Sequence, residues 1–163
     1  MQLIKATIAD LDRIGTFFRQ AWDESGPNHL GFTGATEETI DEIASKEFLK
    51  KRLLDPNVNI YIIKVGPKVL GFASTRTVDR EAIELSGIVM LESATGKGFG
   101  TRLVEKAVSY ARQSGFRRMV VKTESDNERA ISFYKKMGFT EIGEPKQMVE
   151  ETSVNIMILQ KDL

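Results

Sequence analysis

The fold is decided by residues 82–101, which read AIELSGIVMLESATGKGFGT. The first half is rich in Ile, Val and Leu and predicts a strand over 83–91. A helix is predicted over 98–114, because apolar residues recur there at helical spacing. Amides at a helix N-terminus attract phosphate, and glycines let a ligand approach the backbone closely. The turn between strand and helix is therefore a candidate phosphate site. Its residues are Thr95, Gly96, Lys97, Gly98, Phe99, Gly100 and Thr101.

Two familiar phosphate-binding loops do not fit this turn. A P-loop requires Gly-x-x-x-x-Gly-Lys-Ser/Thr, but Lys97 is followed by Gly98 and position 91 is Leu. A dinucleotide fingerprint requires Gly-x-Gly-x-x-Gly at the opening of a doubly wound sheet, whereas these glycines alternate and lie in the middle of the chain. A flexible turn without a ligand is the alternative that stays open.

The other elements alternate along a single chain. A hairpin is predicted from 58–65 and 69–77. The order β-α-α-β-β-β-α-β-α-β-β is typical of an α/β or α+β sheet covered by helices, with one parallel β-α-β step. The remaining strands are predicted at 3–7, 118–122, 139–142 and 154–159, and the remaining helices at 11–25, 36–54 and 127–137.

Composition excludes several classes of function. The chain has 163 residues, so a single domain over 1–163 is expected. It has no cysteine and one histidine, which exclude disulfides, a thiolate nucleophile and a Cys-based or multi-His metal site. Its 23 Lys and Arg balance its 23 Asp and Glu, so no nucleic-acid partner is expected. Because there is no apolar run of ~18 residues and no signal-peptide core, we expect a soluble cytoplasmic protein without a membrane partner.

A second motif lies downstream, where residues 127–139 read NERAISFYKKMGF. The two segments together resemble the GNAT superfamily of N-acetyltransferases. Its second motif, Asn-x-x-Ala-x-x-Phe-Tyr-x-x-x-Gly-Phe, is met here at every fixed position. Its loop motif, Arg/Gln-x-x-Gly-x-Gly/Ala, is met except at the leading position, which holds Thr95. This departure predicts either a weaker phosphate contact or a substitute such as Lys97.

The resemblance implies a GNAT fold with acetyl-CoA as cofactor. The expected fold is a central mixed, mostly antiparallel sheet of six to seven strands, with a splayed parallel pair and about four flanking helices. The pair here is expected at 83–91 and 118–122, with the pantetheine arm of acetyl-CoA between them like an added strand. The amides of residues 96–101 would bind the pyrophosphate. Further cofactor contacts are implied for Ile88, Val89, Met90, Asn127 and Tyr134.

Two side chains are candidates for acid–base catalysis. Tyr134 lies at the position of the family's usual general acid, which would protonate the leaving thiolate. Glu84 lies where several members carry a catalytic base, and strand alternation predicts that Glu84, Ser86, Ile88 and Met90 share one face. The alternatives are a core tyrosine at Tyr134 and a solvated strand-end carboxylate at Glu84.

The resemblance places the acceptor site near the end of the first helix. Trp22, His29 and Phe32 lie in the region that lines this site, although His29 also fits a surface loop. The acidic Asp23 and Glu24 in the same region favour a cationic or aromatic-flanked amine, although a solvated helix end explains them as well.

The predicted reaction is acetyl transfer from acetyl-CoA to a primary amine. Because the chain has no cysteine to carry an acyl group, the amine would attack directly within a ternary complex. The acceptor is expected to be a small-molecule amine, a polyamine or a protein or peptide amino group. A non-catalytic acyl-CoA-binding sensor and a nucleotide-binding module are the competing functions. The final strands of this fold often pair between subunits, so a homodimer is one expectation for the assembly.

Overall fold

The computed structural model describes residues 1–26, 35–143, 146–149 and 152–163. For 146–149 and 152–154 it describes the backbone and not the side chains. Its strands are β1 (Gln2–Lys5), β2 (Val58–Val65), β3 (Lys68–Thr77), β4 (Ala82–Met90), β5 (Arg118–Glu124), β6 (Thr140–Gly143), β7 (Lys146–Val149) and β8 (Thr152–Asp162). Its α-helices are α1 (Leu11–Ser25), α2 (Glu37–Ile43), α3 (Lys46–Leu54), α4 (Phe99–Gln113) and α5 (Glu128–Lys136). Short 3-10 turns cover Ile8–Asp10 and Glu92–Ala94.

One mixed sheet forms the centre of the molecule. In the described part of the chain its strands follow the order β1-β2-β3-β4-β5-β8-β6, and β7 pairs with β8. Neighbouring strands are antiparallel except for β4 and β5, which are parallel. The expected mixed, mostly antiparallel sheet with one parallel pair is confirmed. The strand β7, which the sequence did not predict, brings the described sheet to eight strands.

The predicted helix at 36–54 is two helices, which brings the described α-helices to five instead of about four. Ser45 causes the break. Its Oγ donates a hydrogen bond to the Glu42 carbonyl at 2.6 Å and accepts one from the Phe48 amide at 3.2 Å. A serine that bonds to the backbone on both sides ends one helix and caps the next.

Helices cover both faces of the sheet. The apolar stripe of α1 includes Phe17 and Phe18, whose rings pack on Phe72 of β3. The stripe of α4 includes Leu103, which lies against the opposite side of β3 at Gly71. We call these two sides the α1 face and the α4 face. The longest helices have 15 residues, and within the described ranges none combines the length and apolarity that a membrane span requires.

The parallel pair separates soon after it begins. Strands β4 and β5 pair over three positions, from Ala82 opposite Arg118 to Glu84 opposite Val120. Beyond Glu84, β4 continues to Met90 along β3, while β5 continues along β8. The sheet is therefore split between β4 and β5, and the turn that follows β4 lies at the open end of this split.

Candidate functional site

The glycine loop, residues 95–101, joins the 3-10 turn after β4 to helix α4. Gly96 and Gly98 have φ angles of 75° and 79°, a left-handed conformation that glycine adopts without strain. Gly98 is the N-cap of α4, so the first amides of this helix face the loop. A Cβ built on either glycine would meet no atom within 4 Å, which shows that the space beside the backbone is open. The loop therefore has the backbone geometry that phosphate binding requires.

An open cavity of about 250 Å³ lies beside this loop. Its lining includes most of the predicted cofactor residues, namely Ile88, Met90, Thr95, Gly96, Gly98, Phe99, Gly100 and Thr101. Four residues predicted with them do not line it: Val89, Lys97, Asn127 and Tyr134. The sequence did not single out four others that do: Glu92, Ala94, Arg129 and Phe133.

Arg129 is the one cation among the described lining residues. It lies in the first turn of α5. This helix is next to the N-terminus of α4, because a Cβ built on Gly100 would lie 3.6 Å from Phe133 Cζ. Thr95, which replaces the family's Arg or Gln, donates its hydroxyl to the Glu92 carbonyl at 2.7 Å and so holds the turn. The signal that could have found Arg129 is its position two residues after Asn127 in the second motif.

Part of the second motif builds helix α5. Asn127 Oδ1 accepts a hydrogen bond from the Ala130 amide at 3.1 Å and caps the helix. Ala130 and Tyr134 form the buried face of α5, and Gly138, with a φ of 92°, ends the segment. The approach of Phe133 to Gly100 then places α5 beside the glycine loop.

Tyr134 is 5% exposed, and its ring lies edge-to-face with the rings of Phe133 and Phe139. Burial raises the pKa of its hydroxyl well above the ordinary value of 10.0. The phenol therefore keeps its proton throughout the neutral range. Its ring contacts the ring of Phe133, which lines the cavity, whereas Tyr134 itself does not.

A β-bulge interrupts β4 at Ser86. In the ladder with β3, Ser74 is opposite Gly87 and Thr75 is opposite Leu85, so Ser86 is an extra residue. An extra residue reverses which face the following side chains take.

This bulge corrects the prediction that Glu84, Ile88 and Met90 share one face. Glu84 is opposite Arg76 on the α1 face, whereas Ile88 and Met90 are on the α4 face, where they line the cavity. The Glu84 side chain is 10% exposed, and its Oε2 accepts a hydrogen bond from Arg76 Nη2 at 2.6 Å. Glu84 is therefore a buried, ion-paired carboxylate at the closed end of the split, not a solvated one.

Of the predicted acceptor residues, Trp22 is half-buried against the core on α1, and His29 and Phe32 lie outside the described residues. The end of α1 is tied to the cavity mouth. Glu24 accepts hydrogen bonds from the amide and hydroxyl of Ser93, and Ser25 donates to Glu92. Slight burial raises the pKa of Glu24, but the hydrogen bonds from Ser93 and Gln20 outweigh it and lower the pKa overall. Glu24 therefore ties the end of α1 to the turn after β4, and its selection of a cationic amine stays a prediction.

The chain is similar to known acetyltransferases. The model of the acetyltransferase (GNAT) family matches residues 18–139. An uncharacterized N-acetyltransferase of Methanocaldococcus jannaschii is 32% identical over 87 residues, which are 50% of this chain and 38% of that protein. The chain spans 24% to 38% of the first curated relatives that it matches.

Solved structures share the whole fold. A PaiA N-acetyltransferase from Thermoplasma acidophilum, in complex with coenzyme A, has a TM-score of 0.76 and 18% identity, covering 99% of this chain and 98% of that one. A ribosomal-protein-alanine N-acetyltransferase from Brucella melitensis has a TM-score of 0.77 and 23% identity, covering 100% of both chains.

Proposed function

Because this chain belongs to the acetyltransferase (GNAT) family, we propose that it transfers the acetyl group of acetyl-CoA to a primary amine, by direct attack within a ternary complex. One observation carries the proposal. The split between β4 and β5 opens onto a glycine loop with an open cavity beside it. A neighbour of the same fold is a complex with coenzyme A, which supports acetyl-CoA as the acetyl donor.

The main chain holds the donor in this proposal. The edge of β4 beyond Glu84 takes the pantetheine arm in place of a neighbouring strand, through the backbone of Ile88, Val89 and Met90. The amides from Gly96 to Thr101 and the positive end of the α4 dipole hold the pyrophosphate. Acetyl-CoA supplies a thioester, whose carbonyl the β4 amides orient and polarise.

Arg129 compensates for Thr95. A guanidinium beside the glycine loop supplies the positive charge that the family's Arg or Gln position lacks here. Lys97, the other candidate, does not line the cavity. Arg129 therefore binds a phosphate group of the donor as an exposed charge at the rim.

Tyr134 is the general acid. A phenol is protonated at neutral pH and can donate that proton as negative charge develops on the leaving sulfur. Burial raises the pKa of Tyr134 and makes it a weaker acid until that negative charge forms. The packing of Phe133 and Phe139 against its ring holds the side chain in one orientation. The acid is therefore set in place before the substrates bind.

Glu84 is the base, and it receives the amine's proton directly or through water. Its Oε2 is held by Arg76, which leaves Oε1 for a further hydrogen bond. Its place on the α1 face means that the amine approaches from the side opposite the glycine loop. A Glu84→Gln variant should change the pH dependence of kcat/KM; an unchanged profile would assign proton acceptance to His29 or to water.

The deciding experiment follows the release of free CoA thiol with acetyl-CoA and a panel of amines, alongside the thermal shift produced by CoA, ATP and NAD. Turnover with at least one amine and stabilisation by CoA are expected. Stabilisation by CoA with no turnover on any amine would instead indicate an acyl-CoA sensor. Stabilisation by ATP or NAD but not by CoA would contradict the proposal.

A further inference from the structure

A polar cluster lies on the α1 face at the β-bulge, outside the cavity beside the glycine loop. Ser74, 2% exposed, lies 2.9 Å from Ser86 through their hydroxyl oxygens. Arg52 of α3 donates from Nη2 to Ser74 Oγ at 3.3 Å, and its guanidinium lies 5.7 Å from the Phe48 ring centroid. Arg52 is thus half-buried and held in one orientation by two neighbours.

Of the two guanidiniums in this cluster, Arg76 has a direct ion pair among the described residues. Arg76 pairs with Glu84, but no described carboxylate lies within ion-pair distance of Arg52. Burial, and then the nearby charge of Arg76, lowers the pKa of Arg52, although the charges of Asp55 and Glu84 oppose this shift. A half-buried guanidinium that has no direct ion pair keeps N–H donors for an anionic ligand.

The cluster adjoins the place where acetyl transfer is proposed. Ser74 is opposite Gly87, and the next residue, Ile88, lines the cavity on the other face. Gly87 has no side chain to cover the strand, and a Cβ there would lie 3.1 Å from Ser74 Oγ. A group bound by Arg52 therefore lies across β4 from the donor.

We propose that the acceptor carries a carboxylate next to its amine, and that Arg52 binds this carboxylate at the β-bulge with Arg76 beside it. This inference rests on the proposed function. An amino-acid-like acceptor fits because the fork of Arg52 matches the planar carboxylate, while Glu84 on the same face is near the amine. It replaces the sequence-based preference for a purely cationic amine.

The test compares free amino acids with their carboxamides, which keep the shape and lose the negative charge. The panel also includes spermidine and phosphoethanolamine. With wild-type protein, kcat/KM for the preferred amino acid should exceed that for its amide about tenfold or more. Arg52→Gln should remove this preference while the thermal shift with CoA stays unchanged. Arg52→Lys keeps the positive charge but lacks the planar guanidinium, so it should retain part of the preference for the amino acid over its amide.

Arg117→Gln is the matched control, because the Arg117 side chain is 79% exposed and pairs with Glu81 away from the bulge. Two outcomes would overturn the inference and leave the proposed function intact. One is a preference of the wild-type enzyme for spermidine or phosphoethanolamine; the other is an equal fall in kcat/KM for the amino acid and its amide in Arg52→Gln. If no amine is acetylated, the proposed function fails. In that case, the thermal shift that amino acids produce in the CoA-loaded protein is compared between wild type and Arg52→Gln. If the two proteins show the same shift, or none, the inference is overturned as well.

Discussion

The glycine loop and the β-bulge adjoin the same strand, β4, but they present their chemistry differently. The loop presents main-chain amides at the N-terminus of α4. Among the described residues that line the cavity beside it, Arg129 is the one cation. The bulge presents side chains, two guanidiniums and a carboxylate, on the other face of the sheet. Backbone groups bind the same ligand in any chain that keeps their geometry, whereas side chains select among ligands.

This difference divides the proposed roles. In the proposed function, recognition of the donor depends on the φ angles at Gly96 and Gly98, which few other residues can adopt. In the proposed acceptor site, recognition depends on the side chains of Arg52, Arg76 and Glu84, and a single substitution at any of them would alter it. Mutations at the loop should therefore change donor affinity for every acceptor, and mutations at the bulge should change acceptor choice at constant donor affinity.

The largest effect is expected at Tyr134, which tests whether chemistry can be separated from donor binding. Tyr134→Phe keeps the ring contacts with Phe133 and Phe139 and removes the hydroxyl. We expect kcat to fall roughly 100-fold or more, the usual scale for a general acid, while the Kd of CoA stays within about twofold. Tyr61→Phe, another buried tyrosine, is the control and should leave kcat unchanged. A normal kcat in Tyr134→Phe would mean that Tyr134 has a packing role and is not the general acid.

The next effect is on donor affinity through the loop backbone. Gly98→Ala puts a Cβ at a φ of 79°, a strain of roughly 1–2 kcal/mol, and directs it into the open space beside the loop. The Kd of CoA, measured by calorimetry, should rise about tenfold. Gly115→Ala is a matched control, since Gly115 has a φ of 86° and equally open surroundings but does not line the cavity. Equal weakening of CoA binding in both variants would mean that general destabilisation is the cause.

How far the sequence predicts each region follows from this contrast. The loop is local, because the φ values at Gly96 and Gly98 and the start of α4 are properties of one short segment. The stripe that buries Phe17 and Phe18 is local too. Family membership was therefore within reach of the sequence. The splayed parallel pair is not local, since it joins β4 to β5 across helix α4, and it was expected only from the family resemblance.

The bulge is not local. The extra residue at Ser86 exists because of its register with β3, and one extra residue moved Glu84 to the face opposite Ile88. Arg52 gave no signal for the same reason, since its contact with Ser74 joins residues 22 positions apart. The break of the second helix at Ser45 was missed because helical periodicity continues across it.

A smaller effect is expected for Arg129, which tests whether a side chain contributes at the backbone site. Arg129 is exposed, so its ion pair with a phosphate should contribute only ~0.2–1 kcal/mol. Arg129→Gln should raise the Kd of CoA about two- to fivefold, and the difference should shrink as salt is added. Arg112→Gln, at the far end of α4, should have no effect on CoA. A salt-independent loss would contradict a charge interaction.

The smallest effect is expected at Tyr61, which belongs to the scaffold that both regions share. Burial, and then the neighbouring Tyr110, raises the pKa of Tyr61 to about 12, whereas the unfolded chain titrates near 10. Between these two values the unfolded state has lost a proton that the folded state retains, so the free energy of unfolding falls as pH rises from about 10 to about 12. Tyr61→Phe should make this fall shallower in urea unfolding at pH 8, 10 and 11, and the remaining slope should include Tyr134, whose pKa is also raised. Because Tyr61 lines neither region, CoA affinity and acceptor preference at neutral pH should be unchanged; a shift in either would mean that the two sites are coupled through the core of the sheet.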